Sequence, residues 1–210
     1  MAIIQLVIPA SLGEYVDLLK QTVTSHDPCT PFEGFTFEKK SPFVLRCESF
    51  LKHYPKPITV SRLRSVTASF CEVCEIPLPK MCFPMHSRDF AYMTDDGILS
   101  ICLMFVLFTD KKRIFKVLIH ELSHLLLLHQ GAYGDLLKLD SLFFKAEGSE
   151  HFGVISPVEF YATSLSCSIL HALAEVSDGR LRDVFTHLGN DEKLKLKDTC
   201  DAYLACLSGQ

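Results

Sequence analysis

The chain has 210 residues, 48% of them hydrophobic and 22% charged, which are ordinary globular values and exclude disordered and fibrous classes. Lys and Arg number 21 against 25 Asp and Glu, a formal charge of −4, so no broad basic field of the kind that holds nucleic acid is implied. The length suffices to bury a core without staples, and nine irregularly spaced cysteines read as reduced, mostly buried thiols.

Residues 2–8 (AIIQLVI) are a candidate strand and residues 12–23 a candidate helix. The start lacks a positive region before its apolar residues and makes a poor signal peptide. DPCTPFEGF must be loop, and PFVLRCESF is ambiguous up to the prolines of HYPKP. From Val60 to Cys74, Leu63, Val66, Phe70 and Val73 recur at helical steps, with Ser61 as the expected cap. PLPKMCFP and ILSICLMFVLF read as two strands of a small sheet, with a turn signal at Asp96-Gly97 between them. The second run, residues 98–108, is apolar throughout, as a strand covered on both faces would be. Its eleven residues fall short of the roughly 20 that a spanning helix needs, so a cytoplasmic protein without membrane association is expected.

Asp110 can cap a helix to about His129, closed by Gly131, followed by a Gly- and acid-rich loop with a short apolar piece, LLKLDSLFF. Ser156-Pro157 opens a further helix to about Val176, stopped by Ser177-Asp178-Gly179, and residues 180–207 hold one or two more. The order is mixed, without regular βαβ alternation, so the class is α+β. Residues 58–176 form the expected core, with 1–57 an extension packed on it and 177–210 a helical tail, in one globular unit.

Chemistry concentrates in VLIHELSHLLLLHQG. His120 and His124 stand four residues apart, displaced on a helix by about 40° and one turn, so their imidazoles can converge on one cation, and tetrahedral zinc suits them. Glu121 sits where its carboxylate reaches a metal-bound water instead of the metal, which is where a general base is needed. Composition alone predicts only about 0.02 such HExxH matches in this chain. The surrounding Ile114, Phe115, Leu118, Ile119, Leu122 and Leu125 make the helix apolar nearly all round, hence buried. Two His and one Glu inside it would each cost about 1–3 kcal/mol without partners, and a metal with its water supplies all three.

A catalytic zinc site keeps three protein ligands and one open position, so a third ligand is required. His129 lies about 140° off the ligand face, and the glycine and third histidine of the long metzincin motif are absent. Glu147, Glu150 and His151 cannot be dismissed on spacing. Glu159 opens the next helix, but Ser156 to Glu159 is also a capping box, which would explain that glutamate with no metal.

KKRIFKVLIHELSHLLLLHQG, followed 35 residues after His124 by EFYATSLS, resembles the ImmA/IrrE-type metallopeptidases, small gluzincin-like zinc proteins. Arg113, Phe115, His120, Glu121, His124 and His129 fall on the family's pattern, and Glu159 and Ala162 fall roughly on its second helix. The likeness covers about residues 60–165. The sequence departs at Ser123, usually glycine, at Phe160, usually alanine, and at Thr163, where many gluzincins carry an aspartate that supports a ligand. The resemblance implies a zincin-like fold and one Zn2+ held by His120, His124 and Glu159, with Glu121 as general base on its water. It further implies hydrolysis of a protein substrate, in this family often a repressor, with a helix-turn-helix regulator as candidate partner and no direct nucleic-acid binding. The competing reading keeps the zinc in a regulatory or binding module without hydrolysis, and intact Glu121 favours the enzyme. A zinc hydrolase of small amides is a third reading.

Tyr133, His151 and Tyr161 are candidate donors to an oxyanion. Cys71 and Cys74 form a CxxC within a predicted helix, without a second pair, and read as free thiols. Lys39-Lys40 and Lys111-Lys112-Arg113 read as solvated ends of elements, His171 falls about 120° off the Glu159 face, and Phe143-Phe144 reads as core. An edge position for the 98–108 strand would let it align an extended peptide by backbone pairing.

Overall fold

The structure, a computed structural model, describes residues 7–25, 36–52, 58–147 and 156–208. The expected strand at 2–8, apart from its last two residues, the loops at 27–35 and 53–57, and Glu150 and His151 lie outside them, as do the side chains of Phe144 and Glu147. In chain order the elements are α1 (Leu12–Thr24), α2 (Pro42–Lys52), α3 (Val60–Cys74), β1 (Lys80–Cys82), β2 (Ala91–Met93), β3 (Ile98–Ile101), α4 (Leu103–Phe108), α5 (Lys111–His129), α6 (Tyr133–Glu147), α7 (Pro157–Val176) and α8 (Gly179–Ser208). The chain is thus α+β, mostly helical with one small mixed sheet. No helix among the described residues is long and apolar enough to cross a membrane.

The helix boundaries follow capping chemistry. Asp110 accepts hydrogen bonds from the N–H groups of Lys112 and Arg113 and so starts α5, and Gly131 adopts a left-handed φ of 75° just past its end. Ser156 caps α7 with Pro157 in its first turn. At α3 the cap is Thr59, not Ser61: its hydroxyl accepts the Arg62 N–H at 3.3 Å, and Ser61 already lies within the helix. PFVLRCESF resolves as α2, and the tail is the single helix α8.

Two longer segments depart from expectation. Residues 98–108 are not one strand: β3 ends at Ile101 and α4 follows, its first turn donating from Leu103 and Met104 to the carbonyls of Pro84 and Met85. A run apolar at every position carries no period, so the sequence could not show where extension ended. The segment after Gly131 is not loop but α6, with Leu136, Leu139 and Phe143 buried at helical spacing.

The sheet has three strands, one more than expected, in the order β1-β3-β2, with β1 parallel and β2 antiparallel to β3. The Asp96-Gly97 signal is realised in the β2–β3 turn, where Gly97 has a φ of 76° and donates to the Thr94 carbonyl. Because β3 is the central strand, flanked on both sides, it offers no free edge to a peptide. The edge beside α5 belongs to β2.

α5 runs through the middle of the core, with Ile114, Phe115, Leu118, Ile119, Leu122 and Leu125 at most 1% exposed. Each such side chain contributes about 1.5–3 kcal/mol of burial. α7 lies across α5 and packs along α8, where Gly189 leaves room for the His171 ring; a Cβ there would approach it to 3.0 Å. α1 joins this core through Tyr15, edge-on to Phe143 and Phe160. Replacing Asp110 by Ala should cost about 1–2 kcal/mol, read as a lower denaturation midpoint with unchanged m-value. An unchanged midpoint would show that the cap does not govern α5.

Candidate metal centre

α5 carries His120 and His124 on one face, with their Nε2 atoms 3.2 Å apart. Glu159 reaches them from the first turn of α7: one carboxylate oxygen lies 3.2 Å from His120 Nε2 and the other 3.3 Å from His124 Nε2. Each separation is close to the about 3.3 Å between neighbouring ligand atoms on a tetrahedral ion with bonds of about 2.0–2.1 Å, with each imidazole meeting a different carboxylate oxygen. His120, His124 and Glu159 therefore form a group that could hold a metal ion, and among the described residues it is the one such group. His124 Nδ1 is buried with no hydrogen-bond partner, so its Nε2 contacts carry the ring's polar pairing.

The position of Glu159 is set by the start of α7. Ser156 accepts the Glu159 N–H at 3.4 Å, so the capping half of the Ser-x-x-Glu pattern is present, while the Glu159 carboxylate turns to the imidazoles. Asp140, on α6, accepts the Val158 N–H at 3.0 Å and the Ser156 hydroxyl. It thereby ties α6 to the turn that carries Glu159. Burial raises the pKa of Asp140, and those two donors partly offset it. This carboxylate was not foreseen. The only available signal was its place in LLKLDSLFF, among apolar residues spaced for a helix.

Glu121 is 6% exposed, and its carboxylate accepts the backbone N–H of Met93 on β2. Burial is the main force on it and, with help from the charges of Glu159 and Asp89 and against that of His124, pushes its pKa up to about 7. Glu159 is half exposed; partial desolvation opposes its ionisation, but hydrogen bonds from both imidazoles and their charge outweigh it and hold that carboxyl well below its ordinary range. Tyr133 opens α6 within electrostatic reach of both carboxylates; burial first, then Asp95 and Glu159, push its phenol up to about 12.

A cleft of about 260 Å³ opens beside His120 and Glu121, bordered by Ala91 and by Lys116, which pairs with Glu192 of α8 at 3.0 Å. Register decides how β2 faces it. Phe90 accepts the Cys102 N–H just past β3 and Thr94 donates to the Ile98 carbonyl, so Ala91 and Met93 direct their backbone groups outward.

The remaining candidates fall elsewhere. Tyr161 donates to the Val7 carbonyl, His129 is exposed in the last turn of α5, and His171 packs against Gly189. Cys71 and Cys74 are free, and burial pushes their thiols up to about 11 and about 12, which suits neither redox exchange nor metal binding. Comparison with known family models, curated proteins and solved structures gives no match.

A carboxyl held at about 7 against an ordinary 4.5 binds its proton more tightly in the folded state. The stability it contributes is full below about pH 4.5 and is lost as pH rises through 7. Glu121→Gln should accordingly stabilise the metal-free protein by about 2–3 kcal/mol at pH 8 and little at pH 4.5, measured by urea unfolding with chelator present. An equal effect at both pH values would refute the burial argument.

Proposed function

We propose that the chain is a zinc-dependent metallopeptidase of the gluzincin-like, ImmA/IrrE type, acting on a polypeptide. One observation carries the reading: the Glu159 carboxylate touches both Nε2 atoms of the HExxH histidines while Glu121 stays buried beside them, engaged by a backbone N–H instead of the cluster. A purely structural site needs no acid in that position.

His120, His124 and Glu159 would hold the ion, two neutral nitrogens and one carboxylate leaving one coordination position open. Zinc bound there would polarise a carbonyl and acidify a water. Glu121 takes the proton from the attacking water and returns it to the leaving amine, a task for which a pKa near 7 is suited. The Met93 N–H fixes its carboxylate. An extended substrate lying along β2 would pair with the outward backbone of Ala91 and run past His120. Tyr133 is the donor candidate for the oxyanion, since Tyr161 is engaged by Val7. The substrate in this reading is a protein, and a helix-turn-helix regulator encoded nearby is the first to try.

Zinc content of the purified protein tests the ligand set. Glu159→Ala should weaken zinc binding by at least about tenfold, measured by chelator competition. Full retention would leave Glu159 with a capping role only. Glu121→Gln should keep its zinc and lose cleavage of the regulator by at least about 100-fold. If wild type binds zinc and cuts nothing, the non-hydrolytic module is the better description.

A further inference from the structure

The inward stripe of α6 carries a carboxylate. Tyr133, Leu136, Asp140 and Phe143 recur at three- and four-residue steps, and Leu136 and Phe143 are at most 1% exposed. An acid set among them costs stability unless donors meet it, and two do, both from the start of α7. Asp140 Oδ1 accepts the Val158 N–H at 3.0 Å, and the carboxylate also accepts the Ser156 hydroxyl. The first turn of α7 is thereby satisfied donor by donor. Pro157 has no N–H, Val158 donates to Asp140, Glu159 donates to the Ser156 hydroxyl at 3.4 Å, and Phe160 donates to the Ser156 carbonyl at 2.8 Å. Ordinarily a glutamate at the third helical position turns back to serve such an end, drawn by the positive pole of the helix. Here the charge and the acceptor come from another helix instead. Tyr133 and Asp140, seven residues apart, lie about 20° apart around α6. The charges of Asp140 and Glu159 both act on the Tyr133 phenol, so this stripe looks toward the start of α7.

We propose that Asp140 is a positioning residue for the metal centre: by serving the end of α7 it leaves the Glu159 carboxylate to the two imidazoles, and zinc affinity depends on it through Glu159. The inference rests on the metal reading of the cluster and goes beyond it, since Asp140 is not itself one of the three grouped residues. Without Asp140 the Val158 N–H loses its acceptor, and a replacement on the same turn is the Glu159 carboxylate itself. That side chain is then divided between the helix end and the imidazoles, which lowers its share in holding an ion. A residue that merely closed α7 would matter equally whether or not Glu159 kept its carboxylate. A positioning residue matters to the ion only while Glu159 is there to be positioned.

The test is a double-mutant cycle in zinc affinity, read by competition with a chromophoric chelator, on the full-length wild type, Asp140→Ala, Glu159→Ala and the double variant. Asp140→Ala should weaken zinc binding by about tenfold, and in the Glu159→Ala background by less than about twofold. Asp140→Asn keeps an oxygen for the Val158 N–H and should recover most of the loss. Circular dichroism and urea unfolding with chelator present establish the fold of each variant. If Asp140→Ala does not fold, Asp140→Leu, similar in size and suited to an apolar stripe, takes its place with the same expected loss. Full zinc affinity in the folded variant, or an equal loss with and without Glu159, overturns the proposal and leaves Asp140 a helix-end residue only. The two readings fail differently. A wild type that binds zinc no better than the Asp140 variants do sinks the positioning role alone, and a wild type that binds none sinks the metal centre with it.

Discussion

Polar groups set into an apolar interior must find partners there, and this requirement organises the fold. α5 is buried along most of its length, yet it carries His120, Glu121 and His124 in its middle. Water reaches them only from the cleft on one side, so neighbouring elements supply most of their partners. α7 brings a carboxylate to the two imidazoles and β2 brings a backbone N–H to Glu121. α6 supplies the acid that holds the start of α7. The short sheet and three of the helices are thus fixed relative to one another by the satisfaction of one turn of α5.

What the sequence disclosed is what local chemistry disclosed. α5 and α7 could be placed because Asp110, Gly131, Ser156 and Pro157 are cap residues that announce a helix end independently of tertiary contacts. The HExxH pair was legible for the same reason, its geometry being that of a single helix. Glu159 was not settled by spacing, since one residue was compatible with both a capping box and a contact to the histidines, and the direction of its carboxylate shows the second.

The misses are also physical. The run at 98–108 hid a strand and a helix because uniform apolarity has no period. β2 is three residues long, too short for alternation to show. α6 follows a glycine-punctuated turn, and its Gly134 and acidic residues masked the buried row Leu136, Leu139 and Phe143. Asp140 and the Met93 amide act through tertiary placement alone, which no motif encodes.

The pairing of Lys116 with Glu192 places a covariation constraint on the family of sequences that could share this fold. Glu192 is almost wholly enclosed, and a carboxylate left there without its cation would cost several kcal/mol, whereas exchanging both for apolar residues would cost little. Neither position can therefore drift alone. Relatives should hold both charges or neither, and those keeping neither would lose the cation that borders the cleft beside His120 and Glu121.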